Sequence, residues 1–369
     1  MAHFQRLPVE LLTMIVEELC WCRSPSPYVD CHCSAIRCRV HLGREKTGLE
    51  ADYQTLSALC LTSKLFNNLA TKHLYHYIPD LVSDAQWWLL LRTLVTRRDL
   101  GQHVRSLESM TRSYGLAPTY PEVELYFQDQ LRALQARRVE AGESLSVWDE
   151  RQFKLQLNDG SSYSLISLLT CLCPNVESIH AQLTGWGDSF EFCLPRAMPM
   201  LRKVALEWHD TEGGLSLGFL TDLFRAAPNI ESMIIDPCSQ ERDGVSGLTL
   251  DRLTYLELRQ SMVGATALDS IYRLCPNLEV FKYETGDHCI GHEQFAPRDL
   301  QRATLNHARN LKMLTMQEGR GRWEELYDLL RVDPSVHEDV LVELGAMIKA
   351  RGIECRITPM GGMRWEAAN

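Results

Sequence analysis

The chain has 369 residues, of which 45% are hydrophobic and 23% charged. That balance suits a folded protein. It excludes a collagen-like fibre, a mainly disordered chain and a small disulfide scaffold. Its 48 acidic and 38 basic residues leave a net charge of −10. No block of Lys and Arg offers a phosphate-tracking surface, so no nucleic-acid partner is expected.

At the start, MAHFQRLPVELL lacks an apolar core of signal-peptide type, and Glu10, Glu17 and Glu18 break the early apolar segment. The longest apolar runs, such as Trp87 to Leu91, fall far short of the ~18 residues of a membrane span. No membrane partner is therefore expected. The 13 cysteines are odd in number and scattered. That pattern fits thiols in a reducing compartment, and the expected location is cytoplasm or nucleus.

The first helical signal runs from Leu7 to Leu19. Pro8 suits a first helical turn, where its missing N–H costs nothing. Leu12, Ile15, Val16 and Leu19 then form one stripe. A second helical segment spans Tyr53 to Ile78, with Leu56, Leu59, Cys60, Phe66 and Leu69 at helical spacing. Thr62 or Ser63 suits a cap between two short helices, because a hydroxyl accepts an orphan N–H. Short helices of this kind must pack together to be stable.

The run Leu7-Pro8-x-Glu10-Leu11-Leu12-x-x-Ile15-x-x-x-Leu19, followed by Leu-x-x-Leu-Cys-Leu-x-Ser-Lys-x-Phe, resembles an F-box. Leu74 to Ile78 is similar to the segment that often follows an F-box in fungal members. The resemblance covers residues 7–19 and 53–78. It implies a three-helix head within residues 1–80 that docks on the Skp-type adaptor of a cullin–RING ubiquitin ligase. Leu7, Pro8, Leu11, Leu12 and Ile15 would be the adaptor-binding residues. The sequence departs from the family at residues 21–52, where the first two helices are normally joined by only a few residues.

That insertion contains Ser24-Pro25-Ser26-Pro27 and two glycines, so it reads as a loop. Long surface insertions are tolerated because closure entropy grows only logarithmically. Cys31, Cys33, Cys38 and His41 are soft ligands of the kind Zn²⁺ takes four at a time. Their spacings match no standard finger, so no metal and no cofactor is expected, and the segment is expected to be poorly ordered.

Behind the head a pattern Φ-x-x-Φ-x-Φ recurs, with Φ apolar or small. Its first positions are 176, 201, 230, 253, 278 and 311, giving steps of 25, 29, 23, 25 and 33 residues. Val104 to Leu107 is a degenerate earlier copy. Three copies begin with Pro-Asn, at 174–175, 228–229 and 276–277, and each follows a helical run (Leu165 to Cys173, Phe219 to Ala226, Leu268 to Cys275). Proline stops the helix and asparagine suits the turn. A helix–turn–strand unit cannot bury its apolar face alone, so neighbours must stack. The array resembles an irregular leucine-rich repeat of the kind that commonly follows an F-box. Two segments break the rhythm. Residues 112–160 read as an insertion, with a helical run from Glu122 to Arg138 and a hairpin turn at Asn158-Asp159-Gly160. Ser335 to Glu338 opens a last helix that Gly352 ends, followed by a strand from Ile353 to Ile357.

The expected fold is therefore α/β: a three-helix F-box-like head followed by an irregular leucine-rich-repeat solenoid over residues 81–369. The x residues of each strand face away from the core. Lys203, Tyr255, Glu257 and Lys282 are the expected partner-binding residues, a mixed polar and aromatic set suited to a protein surface. No nucleotide, nucleophile-elbow or zincin motif is present, and the chain is expected not to be an enzyme. The resemblance implies a substrate-recognition subunit of a cullin–RING ligase holding an unknown protein target. The second reading is a protein-interaction scaffold with an F-box-like head and no ubiquitylation role.

Overall fold

The computed structural model describes residues 7–20, 39–79, 84–109, 120–140, 162–183, 198–209, 213–239, 247–286, 297–317 and 345–358. Within these, the chain is a mixed α/β protein built on a nine-stranded, fully parallel sheet.

Three helices come first: α1 (Val9–Glu18), α2 (Arg39–Thr62) and α3 (Lys64–Leu74). Val16, Leu56 and Ala70, one from each helix, are buried together, with Leu19, Leu59, Phe66 and Leu69 packed around them. Ser63 separates α2 from α3, and its hydroxyl accepts a hydrogen bond from the Phe66 N–H at 3.2 Å. That is the cap expected from sequence. The reading of residues 21–52 as one loop is corrected at its C-terminal end, because α2 already begins at Arg39. Gly43 and Gly48 each cost a helix about 1 kcal/mol relative to Ala. Isolated glycines in a 24-residue helix do not stop it. Cys31, Cys33 and Cys38 lie outside the described residues, and His41 falls within α2.

The sheet follows, in strand order identical to chain order. Its strands are β1 (Tyr77–Ile78), β2 (Ser106–Ser109), β3 (Ser178–Leu183), β4 (Lys203–Trp208), β5 (Ser232–Asp236), β6 (Tyr255–Ser261), β7 (Val280–Thr285), β8 (Met313–Gln317) and β9 (Glu354–Thr358). Each expected Φ-x-Φ segment is a strand. The degenerate copy at Val104–Leu107 leads into β2, and the expected last strand is β9. The helical segment expected over Tyr53 to Ile78 is corrected at its end, because its helix stops at Leu74 and Tyr77–Ile78 is β1, too short to show a period.

Between the strands run α4 (Asp84–Thr96), α5 (Arg98–Gly101), α6 (Pro121–Glu140), α7 (Ser162–Leu172), α8 (Thr221–Ala226), α9 (Ala265–Leu274) and α10 (Pro297–His307). Their apolar stripes and the Φ residues of the strands form one continuous buried cluster, which includes Trp87, Leu169, Leu223, Tyr272, Val204, Leu256 and Phe281. The expected helical run in the 112–160 insertion is α6, which buries Val123 and Tyr126 in this cluster. The hairpin expected at Asn158–Gly160 lies outside the described residues, as does the capping box at Ser335–Glu338. The helix across 345–350 ends as expected at Gly352, whose φ of 75° is one that glycine takes without strain.

The turn asparagines do more than suit a turn. Asn175, Asn229 and Asn277 each donate a side-chain hydrogen bond to a backbone carbonyl of the preceding turn. The acceptors are Gln102, Pro199 and Asp251, at 2.9, 2.9 and 2.8 Å. They staple successive units at one end of the sheet.

Candidate functional site

Strand alternation sends Φ residues into the core and leaves the x residues on the opposite face. The register aligns the x residues into rows. One row runs Ser178, Lys203, Ser232, Tyr255, Val280, Met313. The next runs Glu108, His180, Ala205, Ile234, Glu257, Lys282, Thr315. A third holds Gln182, Glu207 and Asp236.

Of the four expected partner-binding residues, three meet. The Tyr255 hydroxyl donates to Glu257, and the Lys282 ammonium stands 5.2 Å over the Tyr255 ring and 3.9 Å from a Glu257 oxygen. Lys203 shares the row of Tyr255 but sits two strands away, with Ser232 between. The sequence reading missed Arg259, which pairs with Glu257 through its Nε. It also missed a second chain of contacts on β1–β4. There Tyr77 donates to Glu108, His180 Nε2 donates to Glu207 at 3.1 Å, and His180 Nδ1 lies 3.9 Å from Glu108. The signal was available. The same alternation carried one residue further reaches Glu207 and Arg259.

The two acids at the centre behave oppositely. Burial pushes the Glu257 carboxyl up, but the Arg259 guanidinium, the Tyr255 hydroxyl and Lys282 outweigh it and hold it below the usual carboxylate range. The Asp236 carboxyl is pushed up to about 7, by burial first and then by Glu207; Arg259 opposes the rise and Glu284 and Glu257 add to it. Tyr255 is raised by burial and by the Glu257 charge it faces.

The second expected surface is on α1. Leu11 and Ile15 are 45% and 42% exposed, and Val9 and Met14 are exposed beside them. Pro8 is exposed and Leu7 half-buried. Leu12 is 1% exposed and faces inward, so it supports α1 rather than presenting a surface. Leu61, 86% exposed, and Leu65 add apolar area where α2 meets α3.

Among the described residues, no group of three or more His, Cys, Asp or Glu side chains is placed to hold a metal ion. No described helix is long and apolar enough to cross a membrane. The chain matches no protein-family model, and no curated protein matches it.

Proposed function

We propose that the chain is a substrate-recognition subunit of a cullin–RING ubiquitin ligase. In this reading α1–α3 are an F-box-like head docked on a Skp-type adaptor, and the sheet is a leucine-rich-repeat-like solenoid whose polar face holds a target protein. The subunit catalyses nothing itself. It raises the effective concentration of target lysines near a charged conjugating enzyme.

The observation that carries the reading is the division of labour within α1. One side buries Leu12 and Val16, while Val9, Leu11, Met14 and Ile15 stay exposed. An exposed apolar patch of this kind marks an interaction surface. The test is co-purification of the adaptor with the full chain and with Leu11→Asp and Ile15→Asp. Both variants leave the buried Leu12 and Val16 untouched, so they should fold and lose the adaptor. Adaptor capture unchanged at equal expression sinks the reading. If the adaptor binds but no target is turned over, the scaffold reading takes its place.

A further inference from the structure

We propose that two copies of this chain join through their last strands, β9 against β9 in antiparallel pairing, with the two-fold axis at Cys355. The occupant of this edge is a second copy of the chain. The proposal goes beyond the ligase reading and does not depend on what α1 binds.

The first observation is an open strand edge. Among the described residues β9 pairs with β8 alone and ends the sheet. Glu354 donates its N–H to the Lys312 carbonyl at 2.8 Å. In a parallel pair alternate residues bond to the same neighbour, so Glu354, Arg356 and Thr358 turn their backbone groups to β8. Cys355 and Ile357 turn theirs outward. Ile353 donates its N–H to the Ile348 carbonyl at 3.3 Å and keeps its own carbonyl for another donor. At the other end of the sheet β1 has two residues, the short kind of edge that resists pairing, whereas β9 has five.

The second observation is charge. Arg356 donates through Nε to its own Glu354 at 2.7 Å, and the two side chains are 64% and 50% exposed. In antiparallel pairing, outward residues must meet outward residues, so the possible registers differ by two residues. With Cys355 opposite Cys355 of the second copy, Glu354 faces Arg356 on both sides of the axis, and the four charges alternate. The neighbouring registers set Glu354 against Glu354 or Arg356 against Arg356. Opposite charges across a strand pair stabilise it and like charges destabilise it. The edge is thus complementary to itself, and its charges select one register. A wholly acidic or wholly basic strand would meet one like charge.

In that register the two Cys355 residues exchange a pair of N–H···O bonds, and each Ile357 N–H meets the Ile353 carbonyl of the other copy. The axis stands normal to the sheet, so both polar faces look the same way. Two copies of that face then lie side by side, which favours targets that can engage both.

The test is sedimentation of the purified full chain over a range of concentrations at about 0.15 M salt. The strip is narrow, so the dimer should be weak, with a Kd on the order of 10–100 μM. Glu354→Lys and Arg356→Glu should each raise that Kd by roughly tenfold or more, because each sets like charges opposite one another. The double swap of both residues should bring it back to within about threefold of wild type. All these changes fall on exposed side chains, and melting curves check that the variants stay folded. Glu124→Lys, on the remote exposed surface of α6, should leave the Kd unchanged. Hydrogen exchange localises the contact: the amides of Cys355 and Ile357 should slow as concentration rises. A chain that stays monomeric to about 0.3 mM overturns the proposal and leaves the edge to a strand from another protein. Protection of those two amides at every concentration would mean that the chain covers its own edge, and it too overturns the proposal. So does a dimer that the single reversals leave intact or that the double swap fails to restore.

Discussion

Lys282 stands over the ring of Tyr255 at 5.2 Å, one strand away, and both reach Glu257. Two residues expected from sequence to face a partner are thus bound to each other. A double-mutant cycle of Tyr255→Leu and Lys282→Met should show coupling of about 0.5–1 kcal/mol in urea melts. Additive losses would mean that the ring and the ammonium do not interact in solution. Tyr255→Ala should also abolish target capture, at a larger cost in stability than an exposed tyrosine would give, because its hydroxyl is engaged.

The two central acids predict opposite pH slopes. Glu257 is held below its ordinary range. Its stabilisation is present above the unfolded value and lost as pH falls through the folded one. Asp236 is raised to about 7. Its contribution is complete below the unfolded value and lost as pH rises through 7. Each slope is at most about 1.4 kcal/mol per pH unit. Glu257→Gln should flatten the acid limb of a stability profile, and Asp236→Asn should raise stability near neutrality relative to wild type. An unchanged profile in both variants would contradict these environments.

His73 gives the three-helix unit its own acid sensitivity. The ring is buried and neither nitrogen has a hydrogen-bond partner among the described residues. Burial and then Lys72 hold it below its ordinary value, against Glu17, with His103 adding to the drop. The neutral form is therefore the folded form. The stability it allows is complete above about 6.5 and declines as pH falls through the folded value. Hydrogen exchange in α1 and α3 should accelerate on acidification, and His73→Leu should suppress that change.

The turn asparagines should matter more than turn propensity suggests. Asn229→Ala removes one bond between neighbouring units and Asn277→Ala removes two, because the Asn277 side-chain oxygen also accepts from Asn310 at 3.0 Å; each bond is worth about 0.5–1.5 kcal/mol. Asn→Asp keeps turn chemistry but removes the donor, so it should cost nearly as much as Ala at 229 and less than Ala at 277. Tolerance of Asp at both positions would reduce these residues to turn formers.

Much of the fold was legible because its period is imposed by packing. Val204, Met233, Leu256 and Phe281 must all reach the same core, and that repeats in the sequence. β1 was not legible, since two residues cannot show an alternation. α2 was hidden in its first half by Gly43 and Gly48, whose local cost is outweighed by the length of the helix. At the polar face, Tyr255, Glu257 and Lys282 were legible as x positions. The contacts of Lys282 with the other two were not, because they depend on cross-strand register, whereas Tyr255 and Glu257 are neighbours on one face of the same strand.

The identity of strand order and chain order governs how this protein comes apart. Every strand touches only the strands before and after it in the chain. Among the described residues no distant segment closes the sheet, so the two ends hold fewer neighbours than the middle. The array should therefore fray inward, like a stack losing its outer members, with β5 and β6 the last amides to exchange. A partner spanning Lys203 to Lys282 would clamp the most durable segment and leave the ends free to accommodate targets of different length.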